Sequence, residues 1–426
     1  MKRWHSIGTA TLLVSGLGLS LSPAHADKGP SNTPTITEYP AAGTTALSQG
    51  IDVDHAGNVW YAETTAGALV WQHPDGTTQR FPLPAGGKPN TVKIGDGSIW
   101  FSDSGKAAIG RLDLRSGSIT EFPIPSGTPP TFIELGQHNT IWFAEVLQDS
   151  SFTTVRTGVG RLILNGDGNA ATGSVTEWLQ PLASLQHPDD NIEEINLDRA
   201  GRLWFVERNF DPGSVTNRVS RLDPQSNQVQ VYTLPTATGN PAGIVVGANN
   251  TVWVSEYYAG KLALLNPNVA AYTQYLLAPT TAGALPASGA PFTVAPQPNP
   301  GITNAVAPMG TIVAPTNIKT GWTEWQLPTA NANPEDLRID SKGNLWFEED
   351  GGKLGVLSPK TNAITEYNIP TASNGYYNIA LQSNNQIWYI GSGLFAPPAK
   401  IGLLQTGTSD NSQGDNSQGD NSQGGN

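Results

Sequence analysis

The sequence predicts an all-β protein, a β-propeller of four-stranded antiparallel blades, on three observations. One phrase recurs along the chain around Trp60, Trp100, Trp142, Trp204, Trp253, Trp346 and Trp388, written as NVWYAE, TIWFAE, RLWFVE or NLWFEE. A second phrase, as in ITEYP, ITEFPIP, SVTEWLQP and WTEWQLP, carries Tyr39, Phe81, Phe122, Trp178, Tyr232, Tyr275, Trp325 and Tyr367. Composition agrees: charged residues are 14% against a usual share of about 25%, with 47 Gly and 33 Pro, a balance that favours strands and turns over solvated helices. Units of about 42 residues, with period-2 alternation and turn signals between short strands, are how propeller blades read. Each blade needs neighbours to bury its aromatic face.

The elements follow in chain order. Lys2 and Arg3 precede an apolar stretch from Ile7 to Leu21, and Ala24-His25-Ala26 is a small-x-small cleavage site. Residues 1–26 are therefore expected to be a signal peptide, and the protein secreted or periplasmic, with no Cys to carry a lipid anchor. Residues 27–34 read as a linker and 35–405 as the propeller. Thr35 to Pro40 is an orphan fourth strand, while the last unit, from Ile379 to Leu404, lacks one. The N-terminal strand is expected to complete the last blade and close the ring, removing exposed edges. The second phrase occurs once more often than the first. Sliding the chain on itself so that Pro241 falls on Pro291 also sets Asn249 on Asn299, Gly260 on Gly310 and Tyr275 on Trp325. That register predicts eight blade units, the sixth degenerate, without the second-strand Trp, over 277–326; the alternative is seven blades with a Pro-rich insertion. Residues 406–426, dominated by a repeated Asp-Asn-Ser-Gln-Gly, have nothing apolar to bury and are expected to be disordered.

Several functions are disfavoured at once. A formal charge of -12 without a basic run repels nucleic-acid backbones and anionic lipid. Zero Cys removes disulfides, thiolate nucleophiles and thiolate metal sites. No stretch approaches the roughly 20 apolar residues of a membrane span. There is no phosphate loop, dinucleotide fingerprint or Gly-x-Ser-x-Gly, so no organic cofactor is expected. The partner expected is a small-molecule, peptide or glycan ligand, or a secreted or cell-surface protein.

The phrases ITEFPIP, NVWYAE, TIWFAE and IGRLD resemble the virginiamycin B lyase (streptogramin lyase) family, and the resemblance covers almost the whole chain after residue 26. It implies a propeller that opens an ester-closed peptide ring by elimination. Magnesium held by glutamates would polarise the carbonyl, and a histidine in the turn entering an innermost strand would handle the proton. Counting back from each Trp, that turn position holds Gln49, Asn90, Thr131, Glu193, Ala242, Phe292, Glu335 and Tyr377 here, none of them His. Gln, Asn, Ala and Phe cannot serve as a base poised near the working pH.

The candidate site residues lie on the face formed by the turns entering the innermost strands and those following the Trp strands, called here the top face. Longer turns at 146–157, 179–191 and 208–217 decorate blades 3 and 4 there. His187 is the candidate proton carrier, whereas His55, His73 and His138 fall in turns on the opposite face. Three residues after each of the first six of these Trp stands an acid, a partial ring: Glu63, Asp103, Glu145, Glu207, Glu256 and Glu349. Of these, Glu145 and Glu207, with Glu193, are the expected ligands of Mg2+ or Ca2+, because hard oxygen donors suit those ions. Glu194, Asp190, Glu256, Glu335 and Tyr377 are expected to line a ligand site. Two functions follow: a ligand- or partner-binding propeller, or a divalent-cation-dependent carbon–oxygen lyase or lactone hydrolase acting on a cyclic ester from blades 3 and 4.

Overall fold

The computed structural model describes residues 33–40, 50–151, 153–166, 172–180, 190–211, 213–286, 297–298, 302–306, 308–316, 320–371, 377–382, 386–391 and 400–406. The expected signal peptide, the tail beyond residue 406, and His187, Gln49 and Phe292 lie outside them. The described residues form strands and turns without a helix, arranged as a seven-bladed β-propeller. None of their segments is a helix long and apolar enough to cross a membrane.

Each blade is an up-and-down sheet whose second strand carries the repeated Trp. Blade 1, for example, runs Ile51–Val53, Val59–Glu63, Ala68–Gln72 and Thr77–Pro82, and blade 4 runs Asn191–Leu197, Leu203–Arg208, Arg218–Asp223 and Gln228–Thr233. Alternation along the Trp strand explains the phrase. In blade 1, Trp60 faces the cluster shared with blade 2 and Tyr61 the cluster shared with blade 7. Seven buried apolar clusters result, each spanning two neighbouring blades, so the core is a ring of interfaces rather than one centre. Every Trp packs against the aromatic marker of its own blade's fourth strand at ring separations of 5.1 to 6.1 Å, as Trp253–Trp325 and Trp346–Tyr367 do. Aromatic pairs at that spacing gain beyond their buried area. The glycine of Ile-Gly-x-Leu has a steric reason: a Cβ on Gly110 would sit 2.0 Å from the Phe101 ring, and one on Gly402 1.9 Å from Tyr389.

Ring closure is as expected. Thr35–Pro40 pairs antiparallel with Lys400–Gln405 and supplies the fourth strand of blade 7, bringing Tyr39 against Trp388 at 6.0 Å.

The expectation of eight blades is corrected to seven. Trp325 does not need three new strands before it, because Trp322–Gln326 pairs directly with Lys261–Leu265 as the fourth strand of blade 5. The segment between them is the insertion of the alternative reading, and it is neither a blade nor strandless. Thr273–Leu276, with the surplus marker Tyr275, adds a fifth strand to blade 4, and Thr280–Pro286 adds one to blade 3. Gln297–Pro298 pairs on blade 1, Ile302–Ala305 on blade 7 and Met309–Ile312 on blade 6. The chain thus walks round the outside of the ring and returns to blade 5. Blade 2, Pro89–Gly95 to Ile119–Pro123, gains no fifth strand among the described residues.

Candidate metal and ligand site on the top face

The channel between the innermost strands is filled by charge. Lys93 pairs with Glu134 at 2.8 Å, Arg338 pairs with Glu194 at 3.2 Å and with Asp336, and Asp52 accepts the Ile94 N–H at 2.8 Å. A cavity of about 20 Å³ is left among Thr91, Lys93, Phe132, Glu194 and Arg338. That is room for a water molecule and no more. A ligand larger than water does not fit that cavity.

At the top rim, the acids three residues after each Trp turn to the third and fourth strands of their own blades. Glu63 accepts from Arg80 Nε at 2.9 Å, and Asp103 accepts from the Lys88 and Gly105 amides at 2.8 and 3.0 Å. Glu145 sits with Glu177 and near Ser126, Glu256 with Glu324, and Glu349 with Glu366; Lys261 and Lys353 pair with the second member of the last two couples. Burial and then the neighbouring glutamate push Glu145 up to about 9 and Glu256 and Glu349 up to about 8. Glu207 is pushed up to about 7 by burial, against the pull of Arg218 at 3.3 Å.

The other expected site residues distribute as follows. Asp190 is buried, accepts from Asn209 Nδ2 at 3.0 Å and raises its neighbour Glu207. Glu193 faces Arg208, whereas Glu194 faces the channel, accepting the Ile244 N–H at 2.9 Å. Glu145, Glu193 and Glu207 thus meet different partners. Tyr377 opens the innermost strand of blade 7, its side chain outside the described residues. The long hairpin expected in blade 3 is present, with pairing continued out to Gln148 opposite Thr154.

Carboxylates do converge, but within blade 6. Single oxygens of Glu335, Glu348 and Asp350 lie within 4.8 Å of one another. Glu335 comes from the turn entering blade 6, and Glu348 and Asp350 flank Glu349 at the end of its Trp strand. Arg208, carried from the Trp strand of blade 4 and 2% exposed, pairs with Glu335. Its guanidinium lies 4.2 Å from the Tyr257 ring and 4.6 Å from that of Phe210, a geometry in which flat cation and ring faces attract. The Tyr257 hydroxyl donates to Asp350, and the Tyr258 hydroxyl donates to the Phe210 carbonyl at 3.0 Å. Phe210 itself is 47% exposed, so the buried network opens onto an aromatic surface.

Electrostatics make this cluster unusual. Glu348 is fully buried, and burial followed by Glu335 and Asp350 holds its carboxyl well above the ordinary range. Burial pushes Glu335 up to about 7 although Arg208 opposes it, and burial also raises Asp350. One oxygen of each, Glu335 Oε2, Glu348 Oε2 and Asp350 Oδ1, is buried without a hydrogen-bond donor. Three carboxylates against one guanidinium, with unsatisfied hard oxygens turned together, fit a divalent cation such as Mg2+ or Ca2+.

Sequence reasoning missed Arg208, Tyr257, Glu348 and Asp350. A signal was present. Two residues after Trp the other blades carry small or apolar side chains, Ala62, Ser102, Ala144, Val206 and Ser255, all fully buried, and Glu348 breaks that pattern.

The description of the virginiamycin B lyase family matches this chain over residues 34–283 and 173–394. The chain belongs to the virginiamycin B lyase family. A virginiamycin B lyase of Nocardia farcinica (strain IFM 10152) is 26% identical over 219 residues, covering 50% of this chain and 64% of the relative. This chain thus spans less than two thirds of that relative's length. A solved streptogramin B lyase has a TM-score of 0.60 at 20% identity, over 88% of this chain and 98% of its own. A catalytically inactive virginiamycin B lyase from Staphylococcus aureus with quinupristin gives 0.60 at 21%, over 87% and 99%. At such identities the two solved structures share the propeller fold with this virginiamycin B lyase-family chain.

Proposed function

We propose that this family member is a ligand-binding propeller, acting in a secreted or periplasmic setting, whose site is the rim of blades 4 to 6. Mg2+ or Ca2+ is held by Glu335, Glu348 and Asp350, and a small-molecule, peptide or glycan ligand is held beside it by Phe210, Tyr257 and Tyr258. The observation that carries this reading is the convergence of one buried and two half-buried carboxylates, each with a buried oxygen that has no donor. When bound, the cation supplies positive charge to a ligand carbonyl or hydroxyl oxygen. Arg208 offsets one carboxylate and is oriented by the rings on either side of it.

The test is thermal unfolding of the chain from residue 27 in chelator, Mg2+ or Ca2+. An ion at about 100 times its Kd adds about 2.7 kcal/mol to stability. Glu348→Gln should abolish that gain, whereas Glu256→Gln should keep it. No gain with either ion removes the cation from the proposal.

A second reading is favoured by one position. Glu335 occupies the turn where the family's pattern carries histidine, and burial pushes it up to about 7. A carboxyl in that range can take a proton near neutral pH, which supports a carbon–oxygen lyase acting on a cyclic ester. His187 and the acids Glu145, Glu193 and Glu207 of blades 3 and 4 stand as the other proposed location for the same chemistry. Glu335→Gln and His187→Ala separate the two: loss of cyclic-ester cleavage in only one of them assigns the proton carrier, and no cleavage by the parent chain leaves the binding function.

A further inference from the structure

The insertion leaves and rejoins blade 5 at one hairpin tip. Leu265 and Trp322 are opposite in register, and Asn266 donates its N–H to the Gly321 carbonyl at 2.8 Å. Gly321 has φ +81°, close to the second residue of a type I′ turn, and Asn is favoured at the first. Asn266 joined to Gly321 is the Asn-Gly pair that a type I′ turn favours, so the hairpin of blade 5 can be closed in sequence without residues 267–320.

On blade 5 itself the segment contributes the Thr316–Glu324 bridge and Ala270 in the cluster with Trp322; its strands pair elsewhere. The strands of this segment lie on the fourth strands of blades 4, 3, 1, 7 and 6 in that order, each antiparallel. The contact at blade 7 bears on ring closure. Thr35–Pro40 has Lys400–Gln405 on one side and Ile302–Ala305 on the other, so that Thr35 faces both Gln405 and Ala305. Val306 continues the contact: its N–H donates to the Pro34 carbonyl at 3.0 Å, and its side chain packs into the cluster between blades 6 and 7. An end strand held by one ladder leaves an unpaired edge, whereas this one is interior to its sheet.

We propose that the described strands between residues 267 and 320 act as a circumferential strap, in which Ile302–Ala305 locks the closing strand in place, so that the ring cannot open at its seam until that contact has been lifted. Removing the strap speeds opening rather than preventing folding.

Two variants and one measurement on the full chain test this. Deleting 267–320, with Asn266 joined to Gly321, should leave a folded propeller by far-UV circular dichroism. Its unfolding in guanidinium should be roughly tenfold faster, since contacts broken in the opening step appear on the unfolding limb. Ile302→Pro combined with Thr303→Pro removes ladder donors from the seam contact alone and should also speed unfolding. In the full chain, hydrogen exchange should protect the amides of 302–305 together with those of 35–40. The proposal is overturned if the double-proline variant is folded and unfolds at the parent rate, whether or not the deletion folds. It is equally overturned if 302–305 exchange within the dead time while 35–40 stay protected.

Discussion

The glycine in the third strand shows how one residue type is dictated by another a strand away. Gly110, Gly160, Gly355 and Gly402 each lie under an aromatic ring one residue past the repeated Trp, with no room for a methyl group. Blade 5 solves the same contact with the cross-strand pair Val254 and Ala263. Gly110→Ala should therefore cost about 1–3 kcal/mol, the usual penalty of overpacking a filled core. Adding Phe101→Val, which copies blade 5, should recover most of it, and urea unfolding of the two variants is the check. At the same scale, Glu348 accepts a long hydrogen bond from the Asp336 N–H at 3.4 Å, and its Oε2 has no donor. Glu348→Gln should raise the melting temperature in chelator, because it removes a buried ionisable group whose charge burial opposes. A fall instead would mean that the carboxylate is already satisfied without a cation.

Among elements, the closing strand carries more than its length suggests. Deleting residues 33–40 strips blade 7 of Ile36 and of the Tyr39–Trp388 contact, and takes away the surface on which Ile302–Ala305 pairs. The melting temperature should drop by about 10 °C or more, since repeat arrays open where one interface is lost. Truncation after residue 407 should leave it unchanged, on the composition of the tail. The sequence announced this closure through Tyr39, because an aromatic marker without a preceding Trp has to find one elsewhere. It misled at Tyr275. There the same marker chemistry serves a fifth strand, with the Tyr275 hydroxyl donating to Gln180 at 2.6 Å. Period and marker type are alike for a fourth and a fifth strand, and only pairing partners distinguish them. The candidate site was less legible than the fold for a related reason. The repeat displays the acids that most blades share, whereas Glu335, Glu348 and Asp350 stand together in blade 6 alone and meet Arg208 from blade 4, a contact that no single repeat unit contains.

For the molecule as a whole, the shared acids set the response to pH. Glu145, Glu256, Glu349 and Glu207 are raised to about 9, 8, 8 and 7, each by burial first. An unfolded glutamate titrates near 4.3, so the folded chain holds protons that the unfolded chain releases. Their contribution is complete below about pH 4.3 and is lost as pH rises through the folded values. In chelator, the melting temperature should therefore fall steadily from pH 5 to pH 9. A rise over that range would show that these pairs are ionised in the fold. At pH 8, Mg2+ or Ca2+ should restore only the share belonging to Glu335, Glu348 and Asp350.

The encircling segment also fixes an order in time. Residues 302–312 leave the ribosome before any strand of blade 6, and before the inner three strands of blade 7, have been made, yet Met309–Ile312 pairs with Ala363–Asn368, and Thr35–Pro40 waits for Lys400–Gln405. Thr35–Pro40 and Ile302–Ala305 can pair with each other once both are made, but that pair joins the ring only when translation is nearly complete. Folding of this chain therefore ends with its most non-local contacts, which form slowly because loop closure precedes their reward. Until then the nascent chain carries a long Pro-rich loop and an open sheet edge together, the interval in which a holding chaperone would matter most.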